Sequence, residues 1–268
     1  MTSDTYTHGH HPSVVGQHAR RTAGEAAAFL LPHLRPGMRL LDFGCGPGSI
    51  TVGLAEAVAP GIVSGIDIVP DVIEQARALT AERGVENVEI AVDNVYELSF
   101  ADGEFDVAYG HQVLQHLARP IDALAELKRV LKSGGLLAVR DGDYASMMVA
   151  PDDPGLDRFF AVYQAVARRN GGEPNAGRYL RGWLQEAGYE EIEVSAQTWV
   201  YTSIEDTTNW GDSWAERVTN STLAEQALAY GIASPDELES IGVAWREWAR
   251  KPDAFFSMIH VAALGRRP

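Results

Sequence analysis

Leu40-Leu41-Asp42-Phe43-Gly44-Cys45-Gly46-Pro47-Gly48, followed by Ser49-Ile50-Thr51-Val52, is the stretch that decides the fold. It reads as an apolar strand that runs into a glycine-rich turn and out into a helix. Glycines let a backbone come close to a ligand in conformations closed to other residues, and a helix start offers N–H groups with no partner inside the helix. The expected occupant is nucleotide-like. A dinucleotide fingerprint needs a third glycine at its sixth position, which is Ser49 here, and a phosphate loop needs a Gly-Lys-Ser/Thr ending that is absent. Asp42, just ahead of the turn, would repel a pyrophosphate but can attract an ammonium group, directly or through water.

Outward from this stretch, strands are expected at 39–43, 61–66, 88–92, 105–109 and 135–140, with helices at 49–58, 70–83 and 120–131. Strands that alternate with helices imply a parallel sheet covered on both faces, because parallel neighbours need a crossover. Upstream, residues 13–34 read as a helix with Val15, Ala26, Phe29 and Leu30 on its apolar face, stopped by Arg35-Pro36-Gly37. Downstream of Asp141, helices are expected at 155–169 and 176–187, a strand at 190–199, a helical stretch at 204–250 and a last strand at 254–264. The expected division is an N-terminal lid and helix at 1–36, an α/β core at 37–203 and 252–268, and a helical cap at 204–251 that contributes to a substrate pocket. All six tryptophans, Trp183, Trp199, Trp210, Trp214, Trp245 and Trp248, lie in the second half, so large apolar contacts concentrate there.

The second strand ends at Gly65-Ile66-Asp67-Ile68, where an acidic side chain can accept from both hydroxyls of a ribose. The third ends at Asp93-Asn94-Val95, where a carboxylate can accept from an adenine amino group while a backbone N–H meets a ring nitrogen; a plain turn role for Asp93 competes. Together with Leu40 to Thr51, Phe105-Asp106-Val107 and Arg129-Val130-Leu131-Lys132-Ser133-Gly134-Gly135, these segments resemble the successive motifs of class I methyltransferases dependent on S-adenosylmethionine (SAM). More narrowly, they are similar to the branch typified by ubiquinone and menaquinone biosynthesis enzymes. The resemblance covers residues 39–141 and is specific as an ordered set. It implies a Rossmann-like, seven-stranded, mostly parallel sheet with one antiparallel strand. By that resemblance Asp42, Gly44, Gly46 and Thr51, with Gly48 closing the turn, hold the methionine end of SAM. Asp67 and Ile68 take the ribose, and Asp93, Asn94 and Val95 the adenine.

Methyl transfer is an in-line displacement, so an enzyme mainly aligns the reactants and excludes water, and a base is needed only for a nucleophile of high pKa. Tyr109-Gly110-His111-Gln112-Val113-Leu114-Gln115-His116 follows the fourth strand. His111 and Gln112 are the candidates to contact cofactor or acceptor, and His116, one helical turn beyond Gln112, shares the face of Gln112 if the segment is helical; a capped or solvent-facing histidine is the competing reading. Tyr6-Thr7-His8-Gly9-His10-His11 reads as a flexible tail, a metal tract or a lid with Tyr6 and Arg21 near the SAM carboxylate, lid ranking above metal. No metal ligands are assigned. Arg140-Asp141-Gly142-Asp143-Tyr144 faces the same crevice, while Arg178 can bind an acidic group or simply cap. Met147, Met148, Met258 and the tryptophans can form a pocket or ordinary core.

A net charge of −15, with Arg and Lys scattered, argues against a nucleic-acid partner. It mildly favours a cationic ligand and disfavours an anionic membrane surface. The single cysteine, Cys45, excludes an intramolecular disulfide and a cysteine zinc cluster and fits a reducing cytoplasm. No apolar run is long enough for a signal peptide or a membrane span. The expected function is methylation of the oxygen, carbon or nitrogen of a small, partly apolar molecule. The alternatives are an NAD(P)-dependent oxidoreductase, which Ser49 and Asp42 disfavour, and a SAM-fold protein that keeps the cofactor without transferring a methyl group. Oligomeric state is not legible.

Overall fold

The structure is a computed structural model and describes Thr7 and residues 21–268. Among these residues, β1 (Leu40–Phe43), β2 (Val63–Asp67), β3 (Val88–Val92), β4 (Phe105–His111), β5 (Leu131–Ala150), β6 (Glu190–Tyr201) and β7 (Phe255–Arg266) form one sheet in the order β3-β2-β1-β4-β5-β7-β6. β1 pairs in parallel with β2 and β4, β2 with β3, and β4 with β5. β7 runs antiparallel to both β5 and β6. The expected Rossmann-like sheet with one reversed strand is therefore the observed one.

β1 explains the packing in miniature. Successive side chains of a strand face opposite sides, and Leu40 packs into one core while Leu41 and Phe43 pack into another. The first core is closed by α1 (Ala23–Ala26) and α2 (Ser49–Val58) through Ala26, Leu54 and Val58; the second by α4 (Pro120–Val130) and α6 (Leu180–Glu186) through Leu124, Leu127, Leu180 and Leu184. α3 (Pro70–Glu82) covers β2 and β3. A third core lies off the β5–β7–β6 end, where α5 (Pro154–Arg169), α7 (Ile204–Asn220) and α9 (Pro235–Ala249) meet around Phe159, Trp214, Trp245 and Trp248, with α8 (Thr222–Ala229) beside them.

Several boundaries differ from the sequence reading, each for a local reason. Thr22 is extended (φ −118°, ψ 156°), so no helix runs through it, and the segment expected as one helix to Leu34 is α1 followed by a 3-10 turn at Leu31–His33 carrying Pro32. Residues 13–20 of that expected helix lie outside the described ones. β5 continues past the expected end at Arg140 to Ala150, because after an irregularity between Asp143 and Met148 it resumes pairing with β7. The helical stretch at 204–250 is three helices. Ser221 caps α8 by accepting from Leu223 N, and Ser234 with Glu237 forms a capping box ahead of Pro235 in α9. The segment 176–187 splits into a 3-10 turn (Ala176–Tyr179) and α6.

Candidate functional site

The chain leaves β1 toward β2 and β3 on one side and later returns to β4 on the other, so the carboxyl ends of β1 and β4 flank a topological switch point. A cavity of about 230 Å³ opens there. Its lining follows the strand order: Asp93, Asn94 and Val95 after β3, Asp67 and Ile68 at β2, Asp42, Gly44 and Gly46 at β1, His111 and Gln112 at β4, Tyr144 of β5, Met258 of β7 and Trp199 of β6. Trp210, Trp214 and Arg217 of α7 close the far end.

The turn after β1 takes its shape from its glycines. Gly44 is left-handed (φ +67°) and a Cβ there would collide with Val113; Gly46 (φ +54°) has open space where a Cβ would stand. Gly48 (φ +83°) caps α2 and lies too close to the backbone of Ala76 to carry a side chain without adjustment. Behind the turn, Asp42 is 3% exposed and its Oδ2 accepts from Thr51 Oγ1 at 2.6 Å. Burial pushes its carboxyl up to about 7, the Thr51 hydrogen bond opposing and the Asp67 charge adding to the rise. Asp67 Oδ2 accepts from Gly46 N at 3.2 Å and Oδ1 from Val69 N at 3.1 Å, so the second acidic position also holds the first turn. Asp93 accepts from Asn94 N, Ser99 N and Ser99 Oγ, organising its own turn while facing the cavity.

Past β4 the backbone turns through Gln112, which sits at φ +57°, a conformation that costs a residue with a Cβ and that marks sites where surroundings dictate shape. Gln112 Oε1 accepts from Arg21 Nη2 at 2.6 Å, and Gln112 Nε2 lies 2.9 Å from His260 Nε2. Arginine can only donate, so the amide nitrogen must face His260, whose Nε2 then accepts. Burial first, then the Arg140 and Arg21 charges, hold His260 well below the usual histidine range and keep it neutral. Its ring lies 3.8 Å from that of Trp199, centroid to centroid, and Arg21 sits 5.9 Å from the Trp199 centroid.

His116 belongs to a 3-10 turn (Leu114–His116), not to a helix continuous with Gln112, yet both line the cavity. Gly142 N donates to Gln115 Oε1, which leaves Gln115 Nε2 to donate to His116 Nε2 at 3.0 Å. Desolvation, with the Arg21 charge, brings His116 down to about 3. It is a neutral imidazole near neutral pH and a weak base.

Of the residues singled out from sequence, Arg21, Asp42, Gly44, Gly46, Asp67, Ile68, Asp93, Asn94, Val95, His111, Gln112 and His116 line this cavity. Gly48 and Thr51 stand behind it. Tyr6, with His8, His10 and His11, lies outside the described residues. Arg178 is not in the lining: it forks onto Asp143 with two bonds of 2.7 Å. Arg140 is buried and donates to the carbonyls of Glu25 and Ala26 at the end of α1. Two features of this region were missed. Arg217 stands seven residues after Trp210 and three after Trp214, a cation on the apolar stripe of α7 that helical spacing could have flagged. His260, buried behind the lining against Gln112, gave no signal within the mostly apolar β7.

A family model described as a methyltransferase domain matches residues 34–171, more than half of the chain. An uncharacterized methyltransferase of Schizosaccharomyces pombe is 34% identical over 265 residues, 94% of this chain and 93% of that one. The chain belongs to the class I SAM-dependent methyltransferases. A demethylmenaquinone methyltransferase of Listeria monocytogenes is 31% identical to this methyltransferase over 162 residues, 60% of this chain and 66% of that one, in line with the narrower resemblance. A SAM-dependent methyltransferase from Aquifex aeolicus shares the fold, with a TM-score of 0.53 at 18% identity over 94% of this methyltransferase and 98% of that chain. Membership in this family removes the dehydrogenase reading. No helix among the described residues is long and apolar enough to cross a membrane.

Proposed function

We propose that this methyltransferase methylates a small molecule with an apolar or aromatic body, and that segment 204–251 is the cap under which that molecule lies. The observation that carries this reading is the change of lining along one cavity. Carboxylates and glycines at β1 to β3 give way to Tyr144, Met258, Trp199, Trp210 and Trp214 at the other end.

The residues present fit SAM. Gly46 leaves the space a backbone-hugging ligand needs, and Asp42 is a buried carboxyl whose ionised form a neighbouring ammonium would favour. Asp67 brings a carboxylate, a group that can accept from ribose hydroxyls, to the cavity wall at the end of β2. Ile68, 58% exposed at the mouth, offers an apolar face to a base, and Asp93 to Val95 lie next to it across the β2–β3 pair. When bound, SAM supplies an electrophilic methyl group on a sulfonium. Gly44, Gly46 and Gly48 shape the pocket for the methionine end, Thr51 holds Asp42 in place, and Arg21 is the nearest guanidinium to Gln112. His111 and Gln112, midway along the strand order, touch the acceptor or the cofactor; the aromatic wall excludes water and orients the acceptor. His116 lines the same waist as a neutral imidazole whose Nε2 accepts from Gln115.

The test is calorimetry with SAM and its demethylated product, followed by incubation of SAM labelled in its methyl group with an extract of small molecules. The expected result is saturable binding of both and label passed to an extractable compound. No heat from either ligand would remove the cofactor assignment. Label that stays bound and is never passed on would favour a SAM-fold protein without methyl transfer.

A further inference from the structure

Arg217 is only 4% exposed, yet it lines the cavity. α7 delivers it there: Trp210, Trp214 and Arg217 follow each other at helical spacing on the buried face, and the guanidinium carbon lies 4.9 Å from the Trp214 ring centroid. An arginine keeps its charge in any protein environment, so a buried one is tolerated where π faces and anions meet it. The carboxylates in the lining, Asp42, Asp67 and Asp93, all stand at the β1–β3 end, whereas Arg217 stands among tryptophans at the other. Its field reaches the neighbouring Tyr144 phenol, whose proton it helps to loosen against the opposing effect of burial.

Resting on the SAM-dependent transfer proposed above, we infer that the acceptor is an acidic molecule, a carboxylic acid or an acidic enol or phenol on an aromatic or apolar body, and that Arg217 receives its anionic oxygen. The guanidinium presents five N–H donors in a plane, so it can receive a carboxylate or enolate while keeping other contacts. Trp210, Trp214 and Tyr144 cover the rings. The chemistry closes without a base. The anionic oxygen, or the carbon conjugated to it, gives the electron pair of the new bond to the methyl carbon; sulfur keeps the pair of the bond that breaks. One negative and one positive charge are consumed and no proton has to leave, which suits a site where His116 is held neutral by burial and already accepts a hydrogen bond.

The experiment compares 2-naphthoate with its uncharged isostere 2-naphthamide on the full chain saturated with the demethylated cofactor, read by tryptophan fluorescence. The expected result is naphthoate binding at least about tenfold tighter than the amide. Arg217→Gln should erase that preference, and Arg217→Lys should keep part of it, while binding of the demethylated cofactor by calorimetry stays as in the wild type. Equal binding of the two probes, no naphthoate binding at millimolar concentration, or a preference that survives Arg217→Gln overturns the inference. The wild-type comparison decides even if Arg217→Gln does not fold. Failure of the cofactor itself to bind would strike the SAM reading instead, so the two failures are distinguishable.

Discussion

The two ends of the cavity are built by different means. At the β1–β3 end the contacts are made by short turns directly after strands: Asp42, Gly44, Gly46, Asp67 and Asp93 are each within a few residues of a strand end, and hydrogen bonds between those turns lock them together. At the β5–β7–β6 end the lining comes from a strand face and from α7, an element that reaches the cavity only because the third core holds it there. One end is fixed by backbone geometry and can be altered without unfolding the cap; the other depends on packing between distant segments.

The largest expected effect tests that dependence. Trp245 is fully buried and meets Phe159 edge-on at 5.1 Å and Trp248 at 5.5 Å, without lining the cavity. Trp245→Ala should cost about 3–5 kcal/mol of stability, measured by urea unfolding. A loss of under about 1 kcal/mol would show that the cap is not packed as described.

At the other end, Asp67→Ala removes an acceptor from Gly46 N as well as the proposed ribose contact. It should weaken SAM about 10- to 100-fold in calorimetry, the range for hydrogen bonds to a charged group, with a much smaller change in stability than Trp245→Ala. Unchanged affinity would break the assignment of that end.

The same end carries a pH signature. Asp42 in the free protein has its carboxyl raised to about 7, and the ionised form is the one an ammonium prefers. Binding a cation lowers that value, so affinity for SAM should fall as pH drops below 7, by up to about tenfold per unit. Asp42→Asn should flatten this slope between pH 5 and 7. A slope that persists in the variant would assign the proton to another group.

Legibility follows the same division. The glycine spacing, Asp67 and Asp93 could be read because a turn at a strand end draws on consecutive residues; strand and helix alternation announced a parallel sheet, while the reversed strand was implied by the family resemblance and the strand order came only from the structure. The helical stretch at 204–250 could be located but not dissected: Ser234 and Glu237 announce a helix start at the right spacing, yet a run of helical sequence hides such a break among good helix formers. Arg217 and His260 were not legible as belonging to one region, because they stand 43 positions apart with α8 and α9 between them and only packing brings α7 and β7 to the same end of the cavity. The positive φ of Gln112 had no sequence sign, since the residue type most tolerant of it is glycine.

Gln112 joins the two ends, and its backbone and side chain can be separated. Gln112→Ala and Gln112→Gly both lose the bonds to Arg21 and His260, but glycine also releases the left-handed penalty. The glycine variant should be the more stable of the two by about 1 kcal/mol in urea unfolding. Equal stability would mean that the loop relaxes away from φ +57° once the side chain is gone.

The smallest effect isolates the cap from the chemistry. Ser234 accepts from Glu237 N at 3.2 Å while Glu237 accepts from Ser234 N at 2.8 Å, on the exposed start of α9. Ser234→Ala deletes one half of this box and should cost about 1 kcal/mol or slightly less, because water can reach the freed N–H. α9 carries Trp245 and Trp248 into the core behind Trp214, so loosening its first turn is transmitted to α7 only if the third core yields. A core packed at native density resists such transmission. SAM affinity should therefore be unchanged and the naphthoate preference retained; a loss of that preference in Ser234→Ala would mean that the aromatic end is set by the cap's stability and not by local contacts.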